Sequence, residues 1–284
     1  MRREPVLLAG TGRVASLAVS DLISSAANPV ARRIRRLAER KHRRKEGAFV
    51  AEGIQPVWRA VEAGWEIDTF VIAPELLPAR AAEMVAAQEA RGAQVARLST
   101  ELFIRVSERE GPSGLLAIIR SRSVSLVRLG IPADATFAVL DRVANPGNLG
   151  TIIRTVDAAG GAGVIVIGDA ADPYAPAAVR ASMGSVFSIA VSHAQNPGEF
   201  LSWARVAGVQ IIATSGIAAQ AHWNIDYRPP LAVLLGSERE GLPAELLAAA
   251  DECVRIPMTG TAESLNLAVA AGVMLYEVQR HKLA

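Results

Sequence analysis

Three stretches of this 284-residue chain set side chains capable of chemistry beside glycines. They are Asn145-Pro-Gly-Asn148-Leu-Gly150-Thr-Ile-Ile-Arg154, Leu235-Gly236-Ser-Glu238-Arg-Glu240-Gly241-Leu242, and Ile256-Pro-Met258-Thr-Gly260-Thr-Ala-Glu263-Ser264-Leu265-Asn266. A guanidinium such as that of Arg154 offers a planar fork of donors suited to an anionic oxygen. With a pKa above about 12 it is a poor general base, and it fits better the stabilisation of charge developing on an oxygen. Glu238 is a carboxylate that could pair with Arg154 and orient it, while Ser264 and Asn266 supply short polar groups. Each also has an ordinary reading. An arginine is mostly exposed, Glu238 and Glu240 can decorate a turn, and Ser264 or Asn266 can cap a helix.

Regular elements must hold these stretches in place. A strand over Phe137 to Leu140 leads into the first, and the helix that follows is expected from Leu149 to Ala159, with Asn148 as a candidate cap and Gly147 and Gly150 permitting close backbone approach. The apolar run Leu231 to Leu235 reads as a strand, so Gly236 falls at a strand's C-terminal end, where α/β proteins commonly bind ligands. The third stretch joins a short strand, Cys253 to Ile256, to a long apolar helix from Leu265 to Gln279. Further strands at Val164 to Ile167, Phe187 to Val191 and Gln210 to Thr214 alternate with helices at Pro176 to Met183, Gly198 to Val206 and Pro243 to Ala249. Such short, Val- and Ile-rich strands without alternation predict a parallel sheet covered on both faces.

Upstream, Asn28-Pro29 opens a basic helix running to about Lys41. Strands at Phe49 to Ala51, Phe70 to Ile72, Val95 to Ala96 and Leu115 to Ile119, with helices at Gln55 to Ala63, Ala79 to Arg91 and Thr100 to Val106, predict a smaller α/β unit. Periodicity fades between residues 121 and 134. The expected division is therefore 1–120, a connection over 121–134, and 135–284.

Composition limits the alternatives. Hydrophobic residues make up 51% and charged residues 20%, with a formal net charge of +2, the balance of a folded globular chain. No apolar run approaches the roughly 20 residues of a membrane span. The basic start, Met1 to Glu4, is followed by Gly10, Gly12 and Arg13 before a signal-peptide core could form, which points to a cytoplasmic protein. One cysteine, Cys253, and four scattered histidines give no metal-ligand spacing, and none is expected. The strand-to-helix turn DRVANPGNLG lacks Gly-x-Gly-x-x-Gly, and no P-loop is present, so neither dinucleotide binding nor P-loop hydrolysis is indicated. Charge is unevenly placed: residues 32–45 hold nine Lys and Arg against one acid, Glu39. Arg32, Arg36, Arg40, and Arg43 or Arg44 recur at helical spacing, followed by Lys45, so one face could present positive groups to a polyanion.

Taken together and in this order, the three stretches, with Arg180-Ala-Ser182-Met-Gly184-Ser-Val-Phe187 between the first two, resemble the TrmH/SpoU class of SPOUT RNA 2'-O-methyltransferases. The resemblance covers most of Phe137 to Leu275. It implies a parallel-sheet SPOUT domain with a trefoil knot, S-adenosyl-L-methionine as methyl donor without a metal, and a homodimer with cofactor sites near the subunit interface. It implies catalytic roles for Arg154, Asn145, Glu238, Ser264 and Asn266, and a cofactor pocket formed by Thr214, Gly216, Leu235, Gly236, Ile256, Met258 and Leu265. Asn28-Pro29, the basic segment and Phe49-Val50-Ala51-Glu52-Gly53 resemble the L30e-like substrate-binding domain of many members. An arginine often follows the Glu-Gly of that domain by one residue, where this chain has Ile54-Gln55. The two-domain arrangement implies structured RNA, 23S ribosomal RNA first, as substrate, with Arg32, Arg36, Arg40, Arg43, Arg44 and Lys45 as contacts. A tRNA methyltransferase is the nearest alternative, and a noncatalytic RNA-binding ribosome-assembly factor is the alternative from another class.

Overall fold

The computed structural model describes residues 22–283, so the reading of Met1 to Arg13 lies outside the described residues. In the N-terminal part, Asn28 accepts a hydrogen bond from the Val30 amide and Pro29 occupies the first turn of α1 (Pro29–Leu37), a helix start in which the proline costs no hydrogen bond. Ala31, Ile34 and Leu37 turn inward. The basic segment is not one helix: it breaks at Ala38 and Glu39, and α2 (Arg40–Glu46) follows, ended by Gly47 in the left-handed conformation. One side chain spans the break. Arg43 Nη1 reaches back to the carbonyls of Leu37 at 2.9 Å and Ala38 at 2.6 Å, taking up groups at the end of α1.

Strands β1 (Ala48–Glu52), β2 (Ile67–Ile72), β3 (Val95–Arg97) and β4 (Leu115–Arg120) form a mixed sheet in the order β1-β4-β2-β3. Helices α3 (Ile54–Glu62), α4 (Ala79–Glu89) and α5 (Thr100–Val106) complete the smaller unit.

Downstream, seven strands form an all-parallel sheet. They are β5 (Thr136–Asp141), β6 (Gly163–Ile167), β7 (Ala190–Ala194), β8 (Gln210–Thr214), β9 (Gln220–Ala221), β10 (Leu231–Leu235) and β11 (Glu252–Arg255). Their order is β7-β6-β5-β10-β8-β11-β9. Helices α6 (Pro146–Ala158), α7 (Pro176–Ala181), α8 (Pro197–Ala207), α9 (Ala244–Ala249) and α10 (Leu267–Leu283) cover it. The central strands β5, β6 and β10 are buried throughout, which is why they read as continuous apolar runs. One expectation shifts, and one strand is new. Phe187 lies in a 3-10 turn, and β7 begins only at Ala190; the two-residue β9 carries too short a signal to read.

The connection over 121–134 is no free tether, since Leu126 and Leu129 are buried in the core of the larger unit and Val124 pairs with Ser192 at the edge of β7. Between the two units lies an aromatic contact. Phe49 stacks on Tyr174 at 4.5 Å, Trp65 meets Phe187 edge-on at 5.2 Å, and Trp65 Nε1 donates to the Phe187 carbonyl at 2.9 Å. The Arg180 to Phe187 segment owes much of its pattern to this packing: Gly184 lies against Arg59 of α3, and Ser185 donates to Asp157 of α6 at 2.6 Å.

Candidate active site

The C-terminal ends of β8, β10 and β11 open into one groove of about 1020 Å³, walled by residues 214–217, 235–238, 240–242, 255–258 and 263–267 among others. Thr214, Gly216, Leu235, Gly236, Ile256, Met258 and Leu265 all line it, as do Glu238, Ser264 and Asn266. Strands far apart in sequence bring these together because β10 lies between β5 and β8. Thr214 donates its hydroxyl to the Leu234 carbonyl at 2.8 Å, tying the rim of β8 to that of β10. At Gly236 a Cβ would lie 2.2 Å from the Gly241 carbonyl carbon and 2.3 Å from the Leu242 nitrogen. The loop therefore folds back on itself in a way only glycine permits.

The first stretch meets the groove through Asn148. Its Nδ2 donates to Glu238 Oε1 at 2.8 Å, and its Oδ1 accepts from Asn266 Nδ2 at 3.2 Å. One amide thus links all three stretches. Asn266 does two things, because its Oδ1 also accepts from the Ala268 amide at 2.9 Å and starts α10. The expected parts of the two asparagines are exchanged. Asn145, not Asn148, caps α6, accepting from the amides of Gly147 at 2.7 Å and Asn148 at 3.3 Å. Its side chain is spent on fixing the helix start that aims Asn148 at the groove.

Glu238 is bound to Asn148 and not to Arg154, so the expected direct pair between them is replaced by this amide bridge. Arg154 is exposed on α6, outside the lining of the groove, and makes no ion pair among the described residues. It follows Asn148 by six residues, about 9 Å of helix rise. Glu240 is held elsewhere: Arg142 Nη1 donates to its Oε2 at 2.6 Å, while Arg142 Nε donates to Asp141 at 2.9 Å. Hydrogen bonds to Asp141 and then Glu240 raise the Arg142 pKa above its already high value. Arg142 ties the end of β5 to the second stretch, and nothing in its sequence position announced this. Gly150 serves helix packing: a Cβ there would lie 2.2 Å from the Ala178 carbonyl oxygen of α7.

The basic row is divided. Arg32, Arg36, Arg44 and Lys45 are exposed, though Arg36 lies 3.5 Å from Glu46. Arg40 faces Asp169 at 3.4 Å. Arg43 is a correction: it is buried, with Nε bound to Asp172 Oδ2 at 2.8 Å, and it pins the smaller unit to the larger rather than facing solvent.

Among the described residues no group of three His, Cys, Asp or Glu side chains is arranged to hold a metal, and no helix is long and apolar enough to cross a membrane.

Comparison with known proteins places the chain. Residues 135–276 match the SpoU rRNA methylase family, and residues 28–117 match the MRM3-like substrate binding domain. The AdoMet-bound rRNA methyltransferase from Sinorhizobium meliloti superposes with a TM-score of 0.84 at 41% identity, covering 92% of this chain and 98% of that one. A 23S rRNA (uridine(2479)-2'-O)-methyltransferase of Streptomyces viridochromogenes is 34% identical over 87% of this chain and 88% of its own length. A 23S rRNA (guanosine(2553)-2'-O)-methyltransferase of Bacillus subtilis is 30% identical over 90% and 98%. The chain belongs to the SpoU rRNA methylase family, the TrmH/SpoU class of SPOUT proteins, and carries that family's catalytic fold behind a substrate-binding domain. It is an S-adenosylmethionine-dependent RNA 2'-O-ribose methyltransferase.

The groove fits that cofactor. It has the volume for a nucleoside-sized ligand, its walls combine apolar groups with backbone and short polar ones, and Gly236 leaves the main chain bare at the strand end. When bound, S-adenosylmethionine supplies a methyl group already activated on a sulfonium.

Proposed function

We propose that the RNA methylated by this protein is 23S ribosomal RNA, and that the groove at the ends of β8, β10 and β11 is the methyl-transfer site. The observation that carries the site is the Glu238–Asn148–Asn266 chain, which joins three separate stretches at one rim. The substrate rests on relatives named for 23S rRNA, which match this chain through both units.

In this reading residues 1–120 are the RNA-binding domain, 121–134 the connection and 135–284 the catalytic domain. Thr214, Gly216, Leu235, Gly236, Ile256, Met258 and Leu265 hold the cofactor. Asn148 and Glu238 fix the rim, with Ser264 and Asn266 beside them and Asn145 behind. Arg154, without an ion-pair partner among the described residues, stabilises the ribose oxygen as it loses its proton, the task a permanently charged fork can perform. Arg32, Arg36, Arg40, Arg44 and Lys45 contact phosphates, giving affinity and orientation more than sequence choice.

The protein acts as a homodimer. Val269 and Tyr276 are 52% and 54% exposed on α10, and Ile217 and Leu265 at the groove are also open, an apolar set suited to a second copy beside the cofactor site. A trefoil knot belongs to the same reading. β11 lies two strands outside β10, yet α10, which follows it, packs on α6, β5 and β10, so the connection over 256–266 crosses back over the strand ends. Its location is the cytoplasm, with its RNA.

The test supplies labelled S-adenosylmethionine with purified 23S rRNA, 16S rRNA and tRNA. Label confined to 23S rRNA is expected, whereas label confined to tRNA would overturn the substrate. Calorimetric titration of the folded protein with S-adenosylmethionine is expected to give saturable binding; its absence would favour a noncatalytic RNA-binding factor.

A further inference from the structure

A second cavity, of about 250 Å³, lies between the two units at the outer edge of β7. Arg40, Arg43 and Arg44 of α2, Arg122 of the connection, and Ser192 and His193 of β7 all line it. Four arginines therefore line it against one carboxylate, that of Asp172, which Arg43 already occupies at 2.8 Å; the Arg122 guanidinium is turned to the Trp65 ring at 4.7 Å and the Gly64 carbonyl, which leaves Arg40 and Arg44 as the open cations. Arg44 is exposed and makes no ion pair among the described residues. The Asp169 carboxylate that Arg40 approaches is 95% exposed, so water screens that pair.

Two donors in this cavity have nothing to donate to. Arg40 Nε and Ser192 Oγ are buried without a hydrogen-bond partner among the described residues, and Ser192 as a whole is 1% exposed. Buried donors are almost always paired, and each that is not requires an explanation. Here both line a cavity with a positive surplus. A group that brings acceptors and negative charge would satisfy them together.

The recognition chemistry is that of a phosphate and not of a base. The aromatic group in the lining, Tyr174, is stacked on Phe49 and donates its hydroxyl to the Arg122 carbonyl, which leaves little free face on which a base could stack. The His193 ring is held at the wall by Nε2, which donates to the Gly168 carbonyl at 2.7 Å. What remains is a set of donors suited to backbone oxygens.

We propose that this cleft binds one phosphodiester of the RNA substrate, with Arg40, Arg44 and Ser192 as its donors. The catalytic unit and the substrate-binding unit then share one phosphate. Because the aromatic contact and the Arg43–Asp172 pair hold the units together, that phosphate stands in fixed relation to the methyl-transfer groove. This inference rests on the RNA methyltransferase reading given above.

The test measures binding of a 23S rRNA transcript over a salt series to the full-length protein and to Ser192→Ala, Arg44→Gln and the double variant. None of these positions lies in the groove. Ser192→Ala is expected to weaken RNA binding about three- to tenfold without lowering the melting temperature, since removing an unpaired buried hydroxyl costs the fold nothing. Arg44→Gln is expected to weaken binding and to reduce the slope of log affinity against log salt by about one. In the double variant the losses are expected to combine to less than their product, as for two groups on one phosphate. S-adenosylmethionine affinity stays as in the wild type, since neither position lines the groove. Wild-type affinity and slope in both single variants would overturn the phosphate site while leaving the enzyme reading intact. A wild-type protein that neither binds nor methylates RNA would overturn the enzyme reading, and the site with it.

Discussion

Asn148 donates to Glu238 across 2.8 Å, and in doing so ties the start of α6 to the loop after β10, 90 residues later in the chain. The pair depends on which atom carries hydrogen. An amide nitrogen can donate to the carboxylate while its oxygen accepts from Asn266, and no other common side chain of that size does both. Asn148→Asp replaces the donor with a second carboxylate facing Glu238. We expect kcat to fall by roughly 100-fold, the scale for losing one aligned polar group at a reacting centre, with the melting temperature nearly unchanged because Asn148 is partly exposed. Steady-state methyl transfer beside thermal unfolding checks this; a kcat within twofold of wild type would remove the bridge from the account.

Gly236→Ala tests whether the loop after β10 shapes the cofactor groove. The added Cβ would meet the Gly241 and Leu242 backbone at 2.2 and 2.3 Å, and backbone cannot rotate away as a side chain can. The loop must open, so S-adenosylmethionine affinity is expected to fall at least tenfold by calorimetry. Gly216→Ala is the companion, since a Cβ there meets nothing within 4 Å; it should change affinity far less if steric fit of the loop is what matters.

Arg43→Ala is expected to destabilise the fold by about 3 kcal/mol, because it leaves Asp172 unpaired in a largely buried site and frees two carbonyls at the end of α1. Arg43→Lys should recover only part of this, a lysine having no planar fork to span carboxylate and carbonyls at once. Urea unfolding measures both, and a loss below about 1 kcal/mol for the alanine variant would return Arg43 to the ordinary surface.

The sequence revealed the strands better than the contacts between them. β5, β6, β8 and β10 are legible because burial on both faces demands unbroken apolar runs. The groove residues follow from the resemblance to the TrmH/SpoU class more than from any local pattern, and all seven residues expected for the cofactor line it. The division of labour between Asn145 and Asn148 is not, since either could cap a helix, and the choice depends on Glu238 arriving from β10. The basic row fails at Arg43 for the same reason: helical spacing shows its place on the helix but not that Asp172 of the other unit would claim it. Arg142 gave no local signal, because Asp141 is merely its chain neighbour and Glu240 reaches it from the loop after β10.

Alkaline stability follows from the tyrosine at the contact between the units. Burial pushes the Tyr174 phenol up to about 12, and burial, then the charge of Glu277, moves Tyr227 the same way, since a buried phenolate loses its hydration. The folded value lies above the unfolded value of about 10. The stabilisation is therefore fully present below pH 10 and is lost as pH rises through about 12. Ultraviolet titration of a Tyr276→Phe variant, which removes the exposed third tyrosine, should show these phenolates appearing together with unfolding; ionisation near pH 10 in that still-folded variant would contradict the packing.

The most direct measurement is the identity of the methylated nucleoside. Labelled S-adenosylmethionine, the protein and 23S rRNA are incubated, the RNA is digested to nucleosides, and the labelled product is identified by chromatography and mass spectrometry, with Arg154→Ala run in parallel. A 2'-O-methylated nucleoside is predicted from the wild type, with most turnover lost in Arg154→Ala at nearly unchanged cofactor affinity. A methyl group on a base, or equal turnover by Arg154→Ala, would contradict the account.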